Sequence, residues 1–145
     1  MKLYIINGPN LNMLGIREVN KYGTDNYDTL CALVREHCAA RGVETVFYQS
    51  NHEGDLVDKI QEAYFDGADG IVINPGAYTH TSIALLDAVL SVKLPCVEVH
   101  ISKVEEREDF RQVSYIRQAC VATITGQGLL GYIEACDILI GDNQQ

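Results

Sequence analysis

Basic residues are scarce in this chain of 145 residues: 11 Lys and Arg stand against 20 Asp and Glu, a formal net charge of −9. Nucleic acid and anionic membrane both demand a basic footprint, so neither fits as a partner. A small anionic substrate is compatible, provided a local cluster of Arg, His and backbone N–H groups holds it. Cysteine pairing is missing as well. Cys31, Cys38, Cys96, Cys120 and Cys136 form no Cys-x-x-Cys and are odd in number. They read as buried small hydrophobes in a reducing compartment, not as metal ligands or nucleophiles. No apolar run approaches the ~20 residues of a membrane span. No basic-then-apolar leader opens the sequence, and the expected location is cytoplasmic. Repeats, low-complexity tracts and linkers are lacking, so residues 1–145 read as one domain. A domain of this size buries roughly 68–70% of its unfolded surface and needs no disulfide or metal to hold a core.

What the chain does have is apolar runs alternating with helical patterns. Leu3 to Ile6 reads as a strand, and a polar, Gly-rich loop then runs to Gly23. Tyr27 to Ala40 reads as a helix with Leu30, Leu33, Val34 and Cys38 on one face, stopped by Gly42. Val43 to Tyr48 is the second strand, and Gly54 to Phe65 a helix with Val57, Ile60 and Tyr64 turned inward. A strand ending at Ile73 is followed by a helix after Ser82, and Cys96 to Val99 forms the fourth strand. A charged loop with a short helix leads to strand Val121 to Thr125 and a closing helix from Leu129 to Ile140, with residues 141–145 expected to fray. Five βα units predict an α/β fold, a doubly wound parallel sheet. The most economical version is flavodoxin-like, with strand order 2-1-3-4-5.

Ligands of such sheets sit past the carboxyl ends of the strands. Here those ends read Asn7-Gly8-Pro9-Asn10, Gln49-Ser50-Asn51-His52, Asn74-Pro75-Gly76, His100-Ile101-Ser102 and Gly126-Gln127-Gly128. The stretch Asn74 to Ser82 gathers a carboxamide, backbone breakers, the imidazole of His80 and several hydroxyls, far more than a turn requires. The ring is rich in amides and imidazoles and poor in carboxylates. A Mg²⁺-binding receiver would need clustered acids after strand one, where Asn7 and Gly8 stand, and no G-x-x-x-x-G-K-[ST] phosphate loop is present. Gly126 to Gly131 matches G-x-G-x-x-G. On the last strand, with no later strand to carry a ribose-binding acid, it reads as a tight turn with close helix packing.

Several residues invite chemistry, each beside a plainer reading. Glu98 and His100 point to one side of their strand. The carboxylate either orients a catalytic imidazole or reaches solvent while His100 caps the next turn. The glycine-bounded loop 15–23 carries Arg17 and Tyr22 and reads as a lid. These two either stack on the surface or form an activated phenolate. An unperturbed Tyr titrates near ~10, and the roughly 4 kcal/mol needed to ionise it at neutral pH is what one cation at ~4 Å supplies at an effective dielectric of ~20. Arg107 and Arg111 either pair along a solvated turn or send one guanidinium to the ligand. The helix Ile83 to Val92 is apolar on nearly every face, which suggests subunit contacts, and its only charge, Asp87, is either solvated or partnered in a functional role.

These segments together resemble the type II 3-dehydroquinate dehydratases. The markers are Ile6-Asn7-Gly8-Pro9-Asn10-Leu11, Leu14-Gly15-Ile16-Arg17-Glu18 leading to Tyr22-Gly23, Asn74 to Ser82, Glu98-Val99-His100-Ile101-Ser102 and Arg107-Glu108-x-Phe110-Arg111. The resemblance spans essentially the whole chain. It implies a homododecamer of four trimers and trans-dehydration of 3-dehydroquinate to 3-dehydroshikimate in the shikimate or quinate pathway, with no metal, cofactor or covalent imine. By the same resemblance Tyr22 is the general base, Arg17 holds it anionic, Asn10 positions a water on the enolate, and His100 backed by Glu98 protonates the departing hydroxyl. Asn74, His80 and Arg111 bind ring hydroxyls, the backbone of Ile101 and Ser102 holds the carboxylate, and Asp87 reaches across a subunit boundary. Val19, where the lid often has Pro, and Lys103, where Asn is common, depart from the pattern. The competing reading is a non-catalytic flavodoxin-like module binding a small anion or nucleotide. Flavin binding would need a Ser/Thr-rich phosphate loop after strand one, which is absent.

Overall fold

The computed structural model describes residues 1–16 and 25–144; Arg17, Val19 and Tyr22 of the expected lid lie outside the described residues. Strands β1 (Lys2–Asn7), β2 (Glu44–Gln49), β3 (Gly70–Asn74), β4 (Cys96–His100) and β5 (Ala122–Thr125) alternate with helices α1 (Tyr27–Ala39), α2 (Glu53–Phe65), α3 (Ile83–Val92) and α4 (Leu130–Gln144). The five strands form one parallel sheet in the order β2-β1-β3-β4-β5, as expected.

Period-two alternation divides the core into two layers. Leu3 and Ile5 of β1, Val72 of β3 and Val97 and Val99 of β4 pack toward α1 and α4, against Leu30, Val34, Cys38, Tyr132, Cys136 and Leu139. Tyr4, Ile6, Ile71, Ile73 and Cys96 pack the other way, toward α2 and α3, against Leu56, Ile60, Leu85 and Val89. Each fully buried Leu or Ile contributes roughly 1.5–3 kcal/mol relative to exposure, so both layers hold the sheet between them. Local chemistry sets the helix starts. Asn26 Oδ1 accepts the Thr29 N–H at 2.8 Å ahead of α1, and Ser82 Oγ accepts the Leu85 N–H at 2.9 Å ahead of α3.

Three details differ from the sequence reading. The buried stripe of α2 is Leu56, Ile60 and Ala63, while Val57 is half-buried and Tyr64 is exposed with its ring set edge-on to Phe65. Helix α4 continues to Gln144 where fraying from residue 141 was expected. Cys120 is only half-buried, unlike the other four cysteines. The G-x-G-x-x-G segment is a turn and a packing device, as anticipated. Gly126 and Gly128 have φ of +75° and +60°, and a Cβ on Gly131 would stand 3.2 Å from a Val99 methyl and 3.3 Å from an Ile124 methyl.

Candidate active site

In this strand order β1 has β2 on one side and β3 on the other, so the winding of the sheet reverses between β1 and β3 and opens a crevice at their carboxyl ends. The two chains leave that point almost touching. Gly8 N–H donates to the Asn74 carbonyl at 2.7 Å, and a Cβ on Gly8 would lie 2.5 Å from the Pro75 carbonyl oxygen. Asn10 follows in the left-handed region at φ +73°, a conformation Asn tolerates better than most residues, and its N–H donates to Asn51 Oδ1 at 3.0 Å.

A cavity of about 920 Å³ opens over this point. Asn10, Leu11 and Leu14 line it from the end of β1, and Asn74, Gly76, Ala77 and His80 from the end of β3. His100, Ile101 and Ser102 come from the end of β4, and Gly126 and Gly128 from β5. The end of β2 stays out of the wall, with Asn51 serving to prop Asn10. The segment after β4 closes the cavity with Lys103, Arg107 and Arg111; it is built of short 3-10 turns in place of the expected helical turn. Glu106 is the single carboxylate among the described lining residues, against Lys103, Arg107, Arg111, His80 and His100. A chain of net charge −9 thus presents a locally cationic cavity. That arrangement suits a small anion.

The buried acid–base pair at the cavity is His100 and Glu98, 5% and 0% exposed. His100 Nε2 lies 2.5 Å from Glu98 Oε2, which leaves Nδ1 as the other ring nitrogen for proton exchange. The same Oε2 accepts from Thr79 Oγ1 at 2.6 Å and from Ser114 Oγ at 2.9 Å. Oε1 accepts from Ser114 at 3.0 Å and Thr123 at 3.4 Å, with Arg117 Nε at 3.8 Å. Burial pushes the Glu98 carboxyl up, but the hydrogen bond and charge of His100 and the Thr79 and Ser114 hydroxyls together hold it below the usual carboxylate range. A buried carboxylate this well supplied is an anion built to orient and balance an imidazole.

His80 Nδ1 lies 2.7 Å from the Val113 carbonyl, which can only accept; that nitrogen therefore carries the proton and Nε2 is left for a ligand. Arg111 donates from Nε to Glu108 at 2.6 Å and rests over the Phe110 ring at 5.0 Å. Behind the wall, the Tyr132 hydroxyl of α4 donates to Asn7 Oδ1 at 2.6 Å and accepts from Asn74 Nδ2 at 2.9 Å. Asn7 Nδ2 is buried with no hydrogen-bond partner among the described residues. Such an orphan costs about 1–3 kcal/mol. Among the described residues no group of His, Cys, Asp and Glu is placed to hold a metal ion.

Asn10, Asn74, His80, His100, Ile101, Ser102 and Arg111 thus converge on one cavity, with Glu98 directly behind His100. Asp87 does not join them. It is exposed on the outer side of α3, near the exposed Ile83 and Leu90, so within one chain this helix buries only the face carrying Leu85, Ala88, Val89 and Val92. Arg17 and Tyr22 are outside the described residues. The sequence reading missed Ser114, Arg117 and Tyr132, while Lys103, noted there for its place beside the carboxylate end, does line the cavity. Thr123 was within reach, since Glu98 pairs with Thr123 in a parallel register and the two faces of β5 alternate.

The Dehydroquinase class II family model matches residues 1–140. The chain is 50% identical over 143 residues to the 3-dehydroquinate dehydratase of Lachnoclostridium phytofermentans, covering 99% of each chain. It is 54% identical over 142 residues to that of Fusobacterium nucleatum, covering 97% of each. The crystal structure of the type II dehydroquinase from Butyrivibrio crossotus superposes with a TM-score of 0.93 at 57% identity, over 97% of both chains. Likeness of this depth, end to end and in both sequence and fold, leaves one assignment: the chain belongs to the class II dehydroquinase family.

Proposed function

We propose that this protein is a 3-dehydroquinate dehydratase, a hydro-lyase that removes water from 3-dehydroquinate by trans-elimination through an enolate to give 3-dehydroshikimate. Besides membership of the family, the observation that carries the reading is the buried Glu98–His100 pair opening into a cationic cavity at the sheet's switch point. A non-catalytic anion-binding module would need the cations but not the buried pair.

The chemistry divides among the residues as follows. Tyr22, held as a phenolate by Arg17, removes the proton alpha to the ketone, and the electron pair moves onto the carbonyl oxygen. A water positioned by Asn10 stabilises the enolate. His100, charged and balanced by Glu98, gives its proton to the departing hydroxyl as the enolate collapses, and the hydroxyl leaves as water. Asn74, His80 and Arg111 hold ring hydroxyls, and the backbone of Ile101 and Ser102 holds the carboxylate. Lys103 adds a cation at that carboxylate end, where its stem lies across Gly126. The whole chain, 1–145, acts as one cytoplasmic catalytic domain with a lid at about 15–23. The working form is a dodecamer of four trimers, in which Asp87 reaches a neighbouring site; its seat between the exposed Ile83 and Leu90 supports that placement.

The test is direct: 3-dehydroquinate is supplied and the enone absorbance of the product followed. His100→Ala should lose at least ~10²–10⁴-fold in kcat while still binding substrate, because general acid catalysis acts in the transition state. A parent protein that forms no enone overturns the assignment.

A further inference from the structure

Asn7 and Asn74 end the two strands that meet at the switch point, and they are partners in register. Alternation turns both side chains to the α1 and α4 side, where Tyr132 stands wholly buried. The direction of each hydrogen bond among the three is determined. The Gly76 backbone N–H can only donate, and it meets Asn74 Oδ1 at 3.1 Å, so the Asn74 amide cannot be turned over without losing that bond. Asn74 Nδ2 therefore faces Tyr132 and donates to its hydroxyl. The single hydroxyl proton must go to the other neighbour, which fixes Asn7 with its oxygen inward.

The far end of this relay is left unmatched. Asn7 Nδ2 points into the core without a partner among the described residues. The Tyr27 phenol is near enough for that amide to favour its ionised form slightly, yet not in hydrogen-bonding geometry. A phenylalanine at position 132 would fill the same space but leave Asn74 Nδ2 without its acceptor and Asn7 Oδ1 without its donor. The hydroxyl is what ties the two amides together, and one of them is a wall residue of the cavity.

We propose that Tyr132 is a positioning residue for the dehydration: its hydroxyl, clamped between Asn7 and Asn74, locks the Asn74 amide in the one orientation that serves the ring hydroxyls of the substrate. The inference rests on the dehydratase reading and on Asn74 as a substrate contact. Tyr132 acts through Asn74 and touches no reacting atom. Burial drives its phenol far above the ordinary value, with the Asn74 N–H pulling weakly the other way, so the relay keeps its polarity at every working pH.

Tyr132→Phe keeps the ring's packing and removes the oxygen. The released Asn74 amide then spends part of its time turned or tilted, and KM for 3-dehydroquinate should rise about three- to tenfold. The contact acts on ground and transition states alike, so kcat should stay within about twofold of the parent. In an Asn74→Ala background the same change should leave KM where Asn74→Ala alone puts it. Asn7→Ala gives a second route: it removes the acceptor, frees the hydroxyl proton to turn on Asn74, and should raise KM in the same way. Turnover by the parent is measured first, and its absence overturns the dehydratase reading itself. With an active parent, an unchanged KM in Tyr132→Phe, a fall in kcat at constant KM, or additivity with Asn74→Ala overturns the role given to Tyr132.

Discussion

Glu98→Gln separates two services that the carboxylate renders His100, orientation and charge. The amide is nearly the same shape. Its oxygen can occupy the Oε2 position and go on accepting from His100 Nε2 and Thr79. Its NH₂ then faces the hydroxyls of Ser114 and Thr123, which can turn to accept, while the exposed Arg117 can withdraw toward solvent. Orientation therefore survives and the charge does not. Two opposite unit charges about 4 Å apart attract by roughly 4 kcal/mol at an effective dielectric of ~20, which is the ceiling on what the lost charge contributes as the proton is transferred. Only part of that ceiling is felt in the barrier, so kcat should fall ~10²-fold. Steady-state enone formation reads the loss. A kcat near that of the parent would mean that Glu98 only orients the ring. Stability has its own signature. The folded-state carboxyl lies below its ordinary value, so the stability Glu98 contributes is present above the unfolded value of ~4.3 and vanishes as pH falls through the folded one. Urea midpoints of parent and Glu98→Gln should therefore converge in acid; a gap that widens there refutes the sign.

Tyr22→Phe should be the most damaging lid change and Arg17→Ala close behind, with the double variant little worse than Tyr22→Phe alone, since the phenolate is useful only while the guanidinium sustains it. A double-mutant cycle on kcat reads this, and additive losses would assign Arg17 to substrate binding. Gly8→Ala should destabilise the fold by about 2–4 kcal/mol, because the new methyl would sit 2.5 Å from the Pro75 carbonyl and both neighbours are backbone; a thermal midpoint equal to the parent's would show that the crevice yields. Asp87→Ala should impair assembly or activity without unfolding the single chain, as its side chain is exposed on α3 between apolar neighbours. Sedimentation with circular dichroism decides it, and a folded, fully active monomer would refute both the oligomer and the shared site.

The strand ends and the Glu98–His100 pair were legible in the sequence because a strand has a fixed period of two, so residues 98 and 100 share a face whatever surrounds them. The stripe on α2 was not. Leu56, Ile60 and Ala63 and the alternative Val57, Ile60 and Tyr64 both satisfy helical spacing and share Ile60, and they differ by a modest rotation of the helix. Packing against β1 and α3 chose the smaller Ala63 and left the bulkier Tyr64 outside. The lining of the cavity was half legible: the amides and imidazoles could be assigned to strand ends, whereas Ser114 and Arg117 reach Glu98 from a loop whose path no local pattern fixes. Tyr132 shows the limit most clearly. On the buried stripe of its helix it reads as a space-filler, and its partner Asn7 stands 125 residues away in the chain.

The two layers of the sheet carry different parts of the site, and the alternation of the strands is what keeps them apart. Glu98 and His100 face the α2 and α3 layer, together with Thr79, Ser114 and Thr123. Asn7 and Asn74 face the α1 and α4 layer with Tyr132. Among the described residues no hydrogen bond joins one set to the other, and the apolar side chains of the strands fill a separate layer on each face, Val72, Val97 and Val99 on one and Ile71 and Ile73 on the other. On the proposed roles, the surroundings of the acid lie on one side of the sheet and those of the Asn74 amide on the other. Both emerge only at the carboxyl ends, where the strands stop and side chains from opposite faces can reach one ligand. A parallel sheet gives that convergence at one edge alone, because every strand runs the same way and every loop that follows a strand gathers there. The cations of the segment after β4 then close over an edge that already carries the Glu98–His100 pair and the Asn7–Tyr132–Asn74 relay.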